Sequence, residues 1–250
     1  MLLRCLRSGT SRTRPCRLRV RRRGESVVPR NIGTKVALKR RLSEALRWNH
    51  NIHYFPCCWR VIGPGTRSAL DVGCGDGILA RRLATCVGQV VAIDSDVAQI
   101  ELASRLSSTI ATGSRIEFVN ADVTTPPFGR RFEAVVTVAT IHHLPTQAAF
   151  HRLADLIEPG GVLAIEGLAR SSRPTDFARD TIAAIVSQIL RRSSGRRFHR
   201  HSAPIVRPPP YTYRELQDIS AETLPGHRNQ RHPLAILPWP LPSGGCARTS

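Results

Sequence analysis

The 250-residue sequence predicts an α/β fold: a doubly wound, mostly parallel sheet covered by helices on both faces. Three observations predict it. Apolar runs of about five residues alternate with longer amphipathic runs between positions 68 and 166. These short runs are apolar along their whole length, as strands buried on both faces must be. A glycine-rich turn, Asp71-Val72-Gly73-Cys74-Gly75-Asp76-Gly77, lies where the first strand gives way to the first helix.

The elements follow in order. Gly63-Pro64-Gly65 breaks a helical stretch predicted over Lys35–Trp59. Ser68–Val72 is a strand and Asp76–Thr85 a helix. Gln89–Asp94 is the second strand, and Asp96–Ser107 is a helix through Val97, Ile100, Leu102 and Leu106. Arg115–Val119 and Phe132–Val138 are further strands. Thr146–Ile157 is a helix closed by Pro159-Gly160-Gly161, before the strand Val162–Glu166. Beyond Arg170 the alternation stops, and helices are expected at Asp176–Arg192 and from about Thr212 to Leu224.

Three regions result. Residues 1–33 read as a disordered arginine-rich segment, or as the product of an upstream start with the folded protein beginning near Thr34, the reading preferred here. Residues 34–226 form one domain with an insertion at about 171–212, and 227–250 a proline-rich irregular tail. Prolines at 225, 233, 238, 240 and 242 cannot sit in a central strand, so any closing hairpin of the sheet is missing or altered.

The formal charge of +19 is distributed unevenly. Between Thr66 and Arg170 nine arginines face eleven acids, whereas residues 1–24 hold nine arginines and no acid. A phosphate-gripping protein carries its basic face on the folded body; here the excess lies on the flanks, so nucleic acid is the less favoured partner. No apolar run reaches the length of a membrane span, and no membrane partner is expected. The seven cysteines are scattered without a Cys-x-x-Cys pair, which predicts reduced thiols, no metal and a cytoplasmic location.

Glycines at alternate positions of 73–77 let the backbone turn sharply and approach a ligand without a Cβ in the way. The helix behind offers free N–H groups to a negative ligand group. A dinucleotide fingerprint needs its third glycine one position later than Gly77. Asp94 ends the second strand, where a carboxylate can accept from ribose hydroxyls. Asp96, next to it, is the better candidate for a helix N-terminal acid that stabilises Asp96–Ser107 through the helix dipole.

On these residues the chain resembles the class I S-adenosylmethionine-dependent methyltransferases, of the small-molecule, type 11-like kind, over about residues 45–225. The resemblance implies a Rossmann-like fold and S-adenosylmethionine as cofactor. It implies Asp71, Gly73, Cys74, Gly75 and Gly77 beside the methionine part, with Asp94 and Ser95 at the ribose. By the same resemblance Asp122 and Val123 meet the adenine, and backbone at Thr137 and Val138 borders the methionine end. Ala139 stands where relatives often carry an acid. His143 is the candidate general base, with a pKa near neutrality in its unperturbed form; His53, Tyr54 and His142 are candidates for the acceptor pocket or its lid.

Thr125-Pro126-Pro127-Phe128 is no amino-methylating motif, since it follows the third strand and has threonine for the amide. No Pro-Cys follows the fourth strand. The expected activity is in-line transfer of a methyl group to a small-molecule acceptor. Two alternatives are an RNA or protein methyltransferase using the basic flanks, and a degenerate relative without turnover.

Overall fold

The computed structural model describes residues 2–6, 47–48, 52, 55, 58, 62–63, 65–125, 129–193, 197–198, 208–224 and 226–230. Strands β1 (Leu2–Leu6), β2 (Arg47–Trp48), β3 (Ser68–Val72), β4 (Gln89–Asp94), β5 (Ile116–Asn120), β6 (Phe132–Val138), β7 (Ile157–Glu166), β8 (Arg197–Phe198) and β9 (Arg228–Gln230) are interleaved with helices α1 (Ile78–Leu83), α2 (Val97–Ser107), α3 (Thr146–Asp155), α4 (Pro174–Ser193) and α5 (Tyr213–Thr223). Seven strands make one sheet in the order β5-β4-β3-β6-β7-β1-β9. The five from β5 to β7 are parallel. The order runs outward from β3 in both directions, so the winding reverses between β3 and β6. Ligands of open α/β sheets bind at the carboxyl ends of the strands at such a point.

Alternate residues of each strand feed two cores. On one face Leu70, Val72, Val91, Ile93, Val135, Leu163 and Ile165 pack with Phe150 and Leu153 of α3 and Leu216 of α5. On the other, Ala69, Val90, Ala92, Ala134, Val136 and Ala164 pack with Ile78, Leu79 and Leu83 of α1 and with Ile52, Phe55 and Cys58. The second face is built from alanine and valine, which lets the helices lie close to the sheet. Ile52, Phe55 and Cys58 are helical positions spaced by three and all buried, as the helical reading of that stretch requires.

The predicted helices and strands of 68–166 appear within a few residues of their expected ends. Asp96 caps α2, its carboxylate accepting from the Ala98 N–H at 2.9 Å. Thr212 and Glu215 form a reciprocal capping box at the start of α5. Pro159-Gly160-Gly161 differs from expectation: instead of preceding the strand, it lies inside β7. Phe132 pairs with Ile157 and Ala134 with Val162, so the intervening residues of β7 bulge out of the ladder. Gly160, at φ 81°, allows it. At Arg47–Trp48, expected to be helical, a two-residue strand pairs with β8 instead.

The larger correction concerns the sheet edge. Leu2–Leu6, expected to be disordered, forms β1 and pairs antiparallel with β7 from Leu2↔Glu166 to Leu6↔Val162. Its other side pairs antiparallel with β9, which lies in the tail expected to be irregular. The hairpin that the proline-rich tail cannot supply is thus replaced by an antiparallel pair with one strand from each end of the chain. The arginine count of residues 1–24 concealed this, because Leu2, Leu3, Cys5 and Leu6 crowd into five positions. The remainder of 1–33 lies outside the described residues.

Removing residues 1–6 would bare the backbone donors and acceptors of β7 along its β1 side. The expected outcome is a lowered thermal midpoint together with concentration-dependent aggregation, read by calorimetry and light scattering. An unchanged midpoint would show that β1 contributes nothing to the sheet.

Candidate active site

The site is built where β3 and β4 end. Gly73 and Cys74 both donate their N–H groups to the Ile93 carbonyl at 2.9 Å, which folds the glycine turn back over β4. The Asp94 carboxylate then takes the Gly75 N–H on one oxygen at 2.9 Å and the Asp96 N–H on the other at 3.0 Å. Charge-assisted bonds of this kind contribute on the order of 1.5–3 kcal/mol each. The Asp94 carbonyl is held in turn by the Asn120 side-chain amide and the Ala121 N–H. Each oxygen of an ionised carboxylate offers two lone pairs, so Asp94 keeps acceptor capacity beyond these two bonds.

The three turn glycines have φ of 72°, 53° and 73°, a region that side chains avoid. They face different surroundings. A Cβ on Gly73 would lie 2.1 Å from Thr140 Oγ1, and one on Gly77 would lie 2.9 Å from the Phe118 ring. A Cβ on Gly75 would meet nothing within 4 Å. Gly73 and Gly77 are therefore required by packing, whereas Gly75 borders open space beside the Asp94 carboxylate.

Asp71, at the end of β3, is 1% exposed, and its Oδ2 has no hydrogen-bond partner. Burial, joined by the neighbouring Asp94 charge, pushes its pKa up to about 7, against a backbone N–H at Ala80 that pulls it down. A buried carboxylate with an unsatisfied oxygen costs stability unless a cation or donor reaches it. Cys74 is buried and its thiol pKa is driven up, first by burial and then by Asp71, so it is a packing residue, not a nucleophile.

Across from the glycine turn, β6 ends in Thr137, fully buried, and half-buried Val138. Ala139 follows at φ 56°, the one non-glycine residue with positive φ among those described. That conformation places Thr140 over Gly73, with Thr140 Oγ1 donating to the Val138 carbonyl at 3.2 Å. Ile141–His143 then forms a 3₁₀ turn in which the two histidine rings are 4.3 Å apart. His142 is half-buried with no hydrogen-bond partner on Nδ1. Burial, with the adjoining His143, lowers its pKa to about 4. His143, the candidate base, is exposed.

The structure thus brings Asp71, Gly73, Cys74, Gly75, Gly77 and Asp94 together in one turn, with Thr137 and Val138 on the adjacent strand. Ser95 is exposed beside Asp94. Asp122 is exposed, its Oδ1 taking both the N–H and the hydroxyl of Thr124, while Val123 is buried against the core. His53 and Tyr54 lie outside the described residues. Sequence reasoning missed Thr140 and the strained Ala139, because no local pattern shows which residue a tertiary contact sets against Gly73. Asn120 precedes Asp122 and Val123 in the sequence, but no local pattern signals its bond to the Asp94 carbonyl. No cluster of histidine, cysteine and carboxylate suited to a metal occurs among the described residues.

A family model described as a methyltransferase domain matches residues 69–161. An uncharacterised methyltransferase of Mycobacterium tuberculosis is 35% identical over 199 residues, covering 78% of this chain and 98% of that protein. A ubiquinone biosynthesis O-methyltransferase of Xanthomonas campestris is 34% identical over 128 residues, 50% of this chain and 52% of that protein. Among solved structures, YcgJ of Bacillus subtilis superposes with a TM-score of 0.46 at 16% identity, covering 64% of this chain and 63% of that one. The chain belongs to the class I S-adenosylmethionine-dependent methyltransferases. It is an enzyme of that class, and S-adenosylmethionine is its cofactor. The residues present fit the cofactor: an open cradle at Gly75, spare acceptor capacity on Asp94 and an unsatisfied buried carboxylate oxygen on Asp71.

Two alanine substitutions separate packing from binding. Gly75→Ala is expected to fold with a loss of about 1–3 kcal/mol from its backbone conformation while cofactor affinity falls at least about tenfold. Gly73→Ala, which must displace Thr140, is expected to lose more stability than Gly75→Ala. Chemical denaturation and calorimetric titration with S-adenosylmethionine read the two quantities.

Proposed function

We propose that this enzyme transfers the cofactor's methyl group to a small-molecule acceptor, with 34–226 as the catalytic domain and the insertion at about 171–212 covering the acceptor. The observation that carries this reading is a cleft of about 490 Å³ at that insertion, lined by Ser172, Arg173 and Asp176 from one side and Tyr213, Gln217 and His227 from the other. Its volume is in the range of small-molecule sites. The partial match to a ubiquinone biosynthesis O-methyltransferase supports the same acceptor class. The thiols of Cys58, Cys74 and Cys86 support a cytoplasmic setting.

The cofactor supplies a methyl group already activated by sulfonium charge, so the chain's task is position and exclusion of water. In this reading Asp94, with Ser95 beside it, accepts from the ribose hydroxyls. Asp122 and Val123 border the adenine, Asp122 through the oxygen not used by Thr124. Asp71 places negative charge at the methionine end, with backbone from Gly73, Cys74, Gly75 and Gly77 on one side and Thr137 and Val138 on the other. His143, exposed on the 3₁₀ turn, takes the acceptor's proton. His142, neutral because its pKa is low, forms part of the acceptor wall with its unpartnered Nδ1.

Incubation with cofactor labelled in the methyl group, together with cell extract, tests the acceptor class. Label is expected in an acid-soluble product that separates chromatographically from the cofactor, which is itself acid-soluble. Label confined to acid-precipitable RNA or protein would replace this reading with the macromolecular one suggested by the charge of +19. No transfer despite cofactor binding to the folded chain would favour the degenerate relative.

Two further outcomes are expected. Asp94→Ala should weaken cofactor binding at least about tenfold, whereas His143→Gln should leave binding intact and lower kcat by about 10²-fold or more. Folding raises the Asp71 pKa from 3.8 to about 7, so the folded state retains a proton that the unfolded chain has lost. Stability therefore falls as pH rises from about 4 to about 7. Cofactor affinity should rise as pH passes through about 7 and Asp71 ionises toward the cationic ligand. In Asp71→Asn both dependences should flatten, as titrations and melts across that range will read.

A further inference from the structure

We propose that α4 is a surface helix that seats this protein on an anionic lipid bilayer. α4 spans 20 residues, about 30 Å of helix. Ile182, Ile185 and Ile189 are 49%, 55% and 58% exposed, and their spacing of three and four places them on one stripe. Phe177, 58% exposed, extends the apolar surface toward the start of the helix. Exposed apolar side chains are ordinary when scattered singly; these four share one helix.

The charge of this segment of the chain selects the occupant. Arg173 and Arg179 are exposed, and Arg191 and Arg192 lie in the last turn of α4. The two acids of the helix lie near its start and are engaged: Asp176 accepts from the N–H groups of Ser172 and Arg173, and Asp180 from the Ser171 hydroxyl. From Arg191 to Thr212 the sequence has six arginines and no acid, and the whole chain carries +19. A second copy bearing the same charge would repel this face. An apolar stripe flanked by arginines fits an interface of acyl chains and anionic headgroups.

Among the described residues no helix is long and apolar enough to cross a membrane. Lying on a bilayer is a different demand, and the expectation of no membrane partner considered spanning alone. The proposal is independent of the acceptor's identity, since it concerns where the enzyme sits.

Flotation of the full chain with phosphatidylcholine vesicles, with and without one-quarter phosphatidylglycerol, tests it. The protein should float with the anionic vesicles and remain largely free of the neutral ones. Ile182→Asp with Ile185→Asp should reduce flotation at least about tenfold, with the thermal midpoint and cofactor affinity unchanged. Three results would overturn the proposal: no flotation with anionic vesicles, equal flotation of wild type and double variant, or a wild-type dimer in lipid-free solution that the double variant dissolves. Since flotation needs no acceptor, its failure leaves the labelling result under Proposed function untouched.

Discussion

The Asp94 carboxylate, held between the Gly75 and Asp96 N–H groups at the end of β4, is the contact on which the site's geometry depends. One oxygen fixes the glycine turn that follows β3, and the other fixes the first residues before α2. A single charged group thereby ties two successive strand–helix connections together and remains an acceptor at the mouth of the crevice. Its own backbone is anchored by Asn120 and Ala121 after β5, so three adjacent strand ends are locked in register. Neutralising this carboxylate would loosen the scaffold that these bonds hold.

The opposite wall depends on strain instead of charge. Ala139 occupies a left-handed conformation, which costs of order 1–3 kcal/mol and persists only where the surroundings impose it. The imposing groups are identifiable: the Ala139 N–H donates to the Glu166 carbonyl at 2.8 Å, and Thr140 packs over Gly73. The bend turns the chain out of β6 and into the 3₁₀ turn that carries His142 and His143. The small residue at 139 lowers the cost of that bend.

Completion of the sheet illustrates a constraint met by unusual means. β7 would be an edge strand, and the proline-rich tail cannot pair with it over any length. The N-terminal strand β1 satisfies its backbone groups, and β9, three residues of the tail, pairs with the far side of β1. The sheet thereby acquires an antiparallel border, although the last forty residues offer no hairpin pattern.

The sequence alone determined the layered α/β architecture, the order of elements from Ser68 to Glu166 and the identity of the glycine turn and its partner acid. These features are local: periodicity, capping residues and turn glycines act within a few positions, and each can be read where it stands. Asp96 as the acid at the start of α2 belongs to the same class. Tertiary structure alone decided what depends on contacts between distant segments. Leu2–Leu6 is an apolar pentad whose role appears only once β7 needs a neighbour 160 residues away in the chain. Thr140 matters because the sheet sets it against Gly73, and Gly75 differs from Gly73 and Gly77 only through what lies beside it in space. Burial, which raises Asp71 and lowers His142, is likewise a property of the packed molecule and has no signature in the order of residues.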